Sequence, residues 1–66
     1  MKLFLNGEIF ETSDSATIAD LLAHLGMESG RVAVEVNLAI VRRAEHSTFV
    51  LKEGDAVEIV NFVGGG

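Results

Sequence analysis

Hydrophobic and polar residues alternate at the start of the chain, as they do in a β-strand with one buried face. Leu3 and Leu5 share one face of this pattern. The Asn6-Gly7 pair that follows readily adopts the positive φ angles of a two-residue turn, and extended character resumes over residues 8–12. The chain is therefore predicted to begin with a β-hairpin.

An amphipathic helix is predicted after the hairpin. Thr17 is placed to cap it, Asp20 completes a shortened capping box, and Gly26 suits the left-handed conformation that ends a helix. The apolar residues recur at the i, i+3, i+4, i+7 spacing of one buried helix face: Ile18, Leu21, Leu22 and Leu25.

Three more strands are predicted in the second half of the chain. Val32, Val34 and Val36 alternate with their neighbours at the period of a half-buried strand. Residues 40–41 indicate a brief edge strand before an irregular surface loop at 44–47, and residues 56–63 form the longest β-rich run. The predicted fold is α+β, in the order β-β-α-β-β-β, with one domain at 1–63 and a flexible glycine tail at 64–66.

The last strand changes the face on which its apolar residues lie. Val57 and Ile59 share the face expected to pack against the helix, whereas Val60 and Phe62 have the opposite parity, as Phe4 has in the first strand. A bulge or a partly covered second face would explain this pattern. Alternatively, if the two strands are neighbours, Phe4, Val60 and Phe62 form an exposed apolar patch on which a partner protein docks.

The three glycines at the end of the sequence carry the candidate chemistry. Gly64, Gly65 and Gly66 add no side-chain packing, but a segment without Cβ atoms can thread a narrow channel in another protein. A carboxylate at Gly66 would need activation before acyl chemistry, most simply as a mixed anhydride with AMP drawn from ATP. A frayed end without function is the alternative reading of the glycines alone.

Composition narrows the classes of function. The 66-residue chain has no cysteine, no proline and a formal net charge of −5. Its size leaves little room for a catalytic pocket, and the lack of cysteine removes disulfides, thiolate metal sites and a Cys nucleophile. The negative charge disfavours nucleic acid and anionic membranes as ligands. With no signal peptide or membrane-spanning run recognised, we expect a cytoplasmic protein that is monomeric when free.

The remaining polar side chains predict neither a catalytic nor a metal site. His24 lies four residues after Asp20 on the predicted helix, without a further ligand for a metal. His46 is interpreted as a solvated histidine of a polar loop. Arg42 and Arg43 are interpreted as a solvated pair, with the steering of a negatively charged partner as the alternative.

Several short features of the sequence match a known family. Asn37 closes the third predicted strand, Gly54 and Asp55 open the last one, and residues 57–66 read VEIVNFVGGG. On these features the whole chain resembles the sulfur carrier proteins of thiamine biosynthesis. It departs from them at residues 41–43, which read Val-Arg-Arg where the family often has Val-Pro-Arg.

The resemblance implies the ubiquitin-like β-grasp fold. In that fold the helix packs across one face of a mixed sheet, and the last strand lies centrally beside the first. This arrangement would place Phe4 next to Val60 and Phe62.

For function, the resemblance implies a two-step use of Gly66. An activating enzyme of the ubiquitin-activating type adenylates its carboxylate with ATP and magnesium, and a persulfide, supplied ultimately by a cysteine desulfurase, replaces AMP to leave a thiocarboxylate. The carrier then docks on thiazole synthase, which uses the sulfur for the thiazole ring of thiamine. The protein is then a cosubstrate and not an enzyme, with no bound cofactor, and Gly64 and Gly65 serve in recognition of the tail.

Two alternatives stay open. Sulfur carriage to a tRNA base or to the molybdopterin precursor would use the same chemistry, although molybdopterin carriers are usually longer, with prolines before their final glycines. A ubiquitin-like modifier would instead join Gly66 to a lysine of its target.

Overall fold

The computed structural model describes residues 1–62, which form a five-stranded mixed sheet with one α-helix against one face. The elements are β1 (Lys2–Leu5), β2 (Glu8–Glu11), α1 (Ile18–Leu25), β3 (Val32–Val36), β4 (Ala39–Val41) and β5 (Ala56–Asn61). The sheet order is β2-β1-β5-β3-β4, with β5 central, parallel to β1 and antiparallel to β3. The predicted α+β fold and element order are confirmed.

Local sequence signals account for the hairpin and for the ends of the helix. Asn6 and Gly7 have φ angles of 48° and 86°, and the turn joins β1 to β2 in an antiparallel pair. Thr17 Oγ1 accepts from the Asp20 N–H at 3.1 Å, and the Asp20 carboxylate accepts from the Thr17 N–H at 2.9 Å. Gly26 ends α1 with a φ of 74°. The predicted turn, capping box and helix stop are confirmed.

The hydrophobic core lies between α1 and the face of the sheet that α1 covers. Its members are Leu3, Ile18, Leu21, Leu22, Val32, Val34, Val36, Val41, Leu51, Val57 and Ile59. The β3–β5 register runs without interruption from Val32 opposite Asn61 to Val36 opposite Val57. Because no bulge re-phases β5 within this register, its side chains keep alternating, and Val60 turns away from the core.

Two polar side chains hold the start of β5. The buried Asp55 carboxylate accepts from the Lys52 N–H at 2.8 Å and from Asn37 Nδ2 at 3.0 Å. Asn37 Oδ1 in turn accepts from the Ala56 N–H at 2.9 Å. These hydrogen bonds satisfy the buried carboxylate and give it a structural role.

His46 is buried, so its interpretation as a solvated loop histidine is wrong. The residue is only 2% exposed, its Nε2 lies 3.2 Å from the Val41 carbonyl oxygen, and its Nδ1 lies 3.1 Å from Ser29 Oγ. Because a carbonyl can only accept, Nε2 donates to it, and the serine hydroxyl, which can donate or accept, pairs with Nδ1. A short 3₁₀ helix at Arg43–Glu45, where part of an irregular loop is predicted, leads the chain into this position.

None of the helices within residues 1–62 is long and apolar enough to cross a membrane. The predicted domain boundary at residue 63 and the predicted tail at 64–66 lie outside the described residues and stay predictions.

Candidate functional site

The central strand of the sheet leads toward the glycines. At its end, the Phe62 N–H donates to the Arg31 carbonyl oxygen at 2.8 Å, just before the start of β3. The chain is thus tied to the fold by a main-chain hydrogen bond up to the residue before Val63. The predicted attachment site at Gly66 and the recognition residues Gly64 and Gly65 lie beyond the described residues and stay predictions.

The three residues of the predicted docking patch are all exposed. Phe4 is 46% exposed, Val60 59% and Phe62 58%. Since the core lies on the other face of the sheet, the exposure of these side chains follows from their parity. Their role in docking stays a prediction.

The structure does not bring Phe4 next to Val60 and Phe62. In the parallel β1–β5 ladder, Phe4 lies opposite Ala56, and β1 ends one residue later at Leu5. Val60 is four residues further along β5, about 13 Å away at the usual rise of a strand. The expected adjacency is therefore wrong, because the hairpin turn takes the chain away before β1 reaches this part of β5.

The three patch residues instead divide into two groups on the face of the sheet opposite α1, which we call the open face. Ile9, which is 64% exposed, lies opposite Phe4 in the β1–β2 ladder. We call these two residues the Phe4 cluster. Val60 lies opposite Ala33 at the other end of β5, and with Phe62 it forms the Val60 cluster, nearer to the glycines.

An acidic pair lies along the sheet between the two clusters. Glu35 and Glu58 stand directly opposite each other in the β3–β5 register. The basic groups that form ion pairs within residues 1–62 are the N-terminal ammonium and Arg31, and neither pairs with Glu35 or Glu58. Like charges directly opposite in a sheet destabilise it. Along β1 and β5 the open face therefore presents apolar, acidic and apolar side chains in sequence, and the exposed Ile40 of β4 lies beside Glu35.

Arg42 and Arg43 are exposed next to the end of β4. Neither takes part in an ion pair recorded for residues 1–62, in agreement with the interpretation as a solvated pair. Arg43 passes close to Gly30, where an added Cβ would lie 3.1 Å from Arg43 Nη1. A steering role for the two arginines stays a prediction.

Asn6 has a role that the sequence reasoning missed. Its N–H donates to the Val57 carbonyl oxygen at 2.8 Å. Its side-chain Oδ1 accepts from the Ile59 N–H at 2.8 Å, and its Nδ2 donates to the Ile59 carbonyl oxygen at 3.3 Å. The side-chain amide thus extends the parallel ladder by one step beyond β1. The resemblance of an asparagine amide to a peptide group is the signal that could have indicated this role.

His24 contributes to packing at the surface of α1. Its ring meets the ring of Phe10 edge to face, with centroids 5.8 Å apart. Residues 1–62 contain no group of three or more side chains suited to hold a metal ion.

Comparison with known proteins adds three kinds of similarity. The ThiS family model matches residues 3–66. The chain is 42% identical over 65 residues to the sulfur carrier protein ThiS of Bacillus subtilis, and this alignment covers 97% of this chain and 98% of that protein. Its structure resembles the crystal structure of the thiamine biosynthesis protein ThiS from Geobacter metallireducens, with a TM-score of 0.84, 33% identity and full coverage of both chains.

Two longer proteins also contain a similar segment. A thiazole synthase of Paramagnetospirillum magneticum is 47% identical over 66 residues, and one of Magnetococcus marinus is 44% identical over 66 residues. Each match covers all of this chain and 20% of the longer protein. The chain therefore spans about a fifth of the length of these two relatives.

Proposed function

We propose, from the premise that this chain belongs to the ThiS family and is a β-grasp sulfur carrier of thiamine biosynthesis, that Gly66 is the residue that carries the sulfur. An activating enzyme adenylates the Gly66 carboxylate with ATP and magnesium, and sulfur then replaces AMP. The match of the family model through residue 66 carries this proposal, because it includes the whole glycine segment.

The chemistry of a carboxylate requires these two steps. Oxide is a poor leaving group, so a Gly66 oxygen first attacks the α-phosphorus of ATP and pyrophosphate leaves. A persulfide then attacks the acyl carbon, AMP leaves, and an acyl persulfide forms. A second thiol attacks the sulfur of the donor cysteine in that S–S bond, so the thiocarboxylate leaves with the transferred sulfur and a disulfide forms between the two thiols on the enzyme side. The cysteine desulfurase supplies the persulfide sulfur.

The described fold supports the role of carrier by the way it uses its polar side chains. The buried polar groups of residues 1–62 are Asp55 and His46, and each is engaged in internal hydrogen bonds. Neither is available to move a proton at a remote carboxylate. In this proposal the acid, base and metal chemistry belongs to the partner enzymes, and the carrier is their cosubstrate.

Thiazole synthase is the proposed acceptor of the sulfur. Two proteins of that name contain a segment similar to the whole of this chain. Joining a carrier to its acceptor in one polypeptide raises the effective concentration of one for the other, which favours a pair that must meet repeatedly. This supports thiazole synthase over a tRNA-modifying enzyme or a molybdopterin synthase.

The Val60 cluster is proposed as the docking surface nearest the reactive end. Val60 near the end of β5 and Phe62 directly after it are exposed just before the glycines, so a partner that receives the glycines also meets these side chains. Exposed apolar side chains of this kind supply the buried centre of an interface. Phe4 lies farther from the glycines and is proposed as a secondary contact.

Intact-mass measurement tests the proposed chemistry. The chain is incubated with the activating enzyme and the cysteine desulfurase of the same organism, with ATP, magnesium and cysteine. We expect the mass to rise by the exchange of one oxygen for one sulfur. The mass of a chain that lacks Gly66 should stay unchanged under the same treatment. An unchanged mass for the full chain would contradict sulfur carriage, and a stable adduct with a lysine of another protein would favour the modifier alternative.

A further inference from the structure

Within residues 1–62, one side of β5 lacks a hydrogen-bonding partner at its last step. On the β3 side, the Phe62 N–H donates to Arg31, and the Ala56 carbonyl accepts from the Asn37 N–H at 2.7 Å. Hydrogen-bonded pairs alternate along an antiparallel ladder, so the even-numbered residues of β5 direct their main-chain N–H and C=O groups toward β3. The odd-numbered residues turn their N–H and C=O groups toward the β1 side: Val57, Ile59 and Asn61.

Among the described residues 1–62, the first two of these have partners on the β1 side, and the third has none there. The Val57 carbonyl accepts from the Asn6 N–H, and the Ile59 N–H and C=O bind the Asn6 side-chain amide. The hairpin turn then takes the chain away, and none of the hydrogen bonds recorded within residues 1–62 reaches the main chain of Asn61 on this side. Asn61 is also exposed. β5 is thus a central strand at its start and an edge strand at its end.

This free edge has the features of a strand-addition site. An exposed strand edge offers unpaired N–H and C=O groups to an extended segment of another protein. Val60 and Phe62, the two neighbours of Asn61 in sequence, are exposed, so an added strand would also bury apolar surface. The sequence continues from this edge into the glycines, so a segment that pairs here also directs Gly66 toward its owner.

We propose that thiazole synthase adds an extended segment to the edge of β5, with main-chain hydrogen bonds to the N–H and C=O of Asn61. The identity of this partner rests on the proposed function. A second copy of the chain is a poorer occupant, because pairing two such short edges would bury far less than the roughly 1,200 Å² of a stable interface. The added strand explains how a tail without side chains is directed into an acceptor.

Two substitutions of Asn61 separate the contribution of its main-chain N–H to binding from the contribution of its side chain. Asn61→Pro removes the N–H that faces away from β3, and proline is tolerated where a strand N–H points outward. Asn61→Ala removes the side chain and keeps the N–H. In calorimetric titration with thiazole synthase of the same organism, we expect Asn61→Ala to bind within about twofold of the unsubstituted chain and Asn61→Pro to bind about tenfold more weakly.

A measurement on the unsubstituted chain tests the proposal even if the proline variant misfolds. Hydrogen exchange by NMR should show a fast-exchanging Asn61 amide in the free chain and a slowed one at saturating thiazole synthase. Equal binding by Asn61→Pro and Asn61→Ala, or an amide that the enzyme leaves unprotected, would overturn the proposal. If the unsubstituted chain does not bind thiazole synthase, the named partner is wrong and this proposal falls with it. The mass gain at Gly66 is measured without thiazole synthase and reports separately on sulfur carriage.

Discussion

The side chain of Asn6 takes the place of a strand residue beside β5, and its removal should be costly for so small a protein. The amide makes two hydrogen bonds to the main chain of Ile59, at 2.8 and 3.3 Å. Each contributes about 0.5–1.5 kcal/mol net, so Asn6→Gly should lower the free energy of unfolding by about 2 kcal/mol. Glycine accepts the positive φ of this turn, so the loss reports mainly on the hydrogen bonds.

Asn6→Ala adds a second cost to the first. The residue has a φ of 48°, in the left-handed region where a Cβ without a local hydrogen bond is unfavourable by about 1–2 kcal/mol. We therefore expect a total loss of about 3–4 kcal/mol for the alanine variant. That is a large share of the whole stability of a 66-residue domain, which is about 3–10 kcal/mol.

Urea unfolding, followed by far-UV circular dichroism, measures both variants against the unsubstituted chain. The expected order of stability is unsubstituted, Asn6→Gly and then Asn6→Ala, with the difference between the two variants equal to the conformational cost. A glycine variant as stable as the unsubstituted chain would show that the amide does not support β5. Equal losses for glycine and alanine would refute the strain component.

Three further predictions concern the acidic pair, the buried histidine and the two apolar clusters. Glu58→Gln should raise the free energy of unfolding by about 0.2–1 kcal/mol by removing the repulsion from Glu35, and added salt should shrink this gain in urea titrations. His46→Ala should lower the free energy of unfolding by about 2–4 kcal/mol, because a buried ring and its two hydrogen bonds are lost. A loss under about 1 kcal/mol in thermal unfolding would contradict the structural role of the buried ring. Phe62→Asp and Phe4→Asp should both leave the melting temperature nearly unchanged, because both side chains are exposed. In titration calorimetry, Phe62→Asp should weaken binding to thiazole synthase more than Phe4→Asp does. Equal weakening by the two variants would contradict the placement of the docking surface beside the glycines.

The sequence predicts most of the fold because its strongest signals are local. The Asn6-Gly7 turn and the Thr17 capping box each depend on residues within four positions of one another, and the structure has both. The parity of Val57 and Val60 predicts which face of β5 each occupies, because the period of a strand is fixed.

Register and long-range contacts are what the local pattern could not supply. Parity assigns Phe4 to the open face but does not say which β5 residue it meets, and the β1–β5 ladder places it opposite Ala56. The partners of His46 include Ser29, which lies 17 residues away, while its polar sequence neighbours favour a solvated loop. The pairing of Glu35 with Glu58 likewise exists only once β3 and β5 are in register.

Localising the sulfur by tandem mass spectrometry tests the central claim most directly. The chain is treated with activating enzyme, ATP, magnesium and the sulfur source, and the product is fragmented from its C-terminal end. Sulfur carriage at Gly66 predicts that one oxygen is replaced by one sulfur and that the change lies in the fragment containing residue 66. An unchanged mass, or a sulfur found on any other residue, would contradict it.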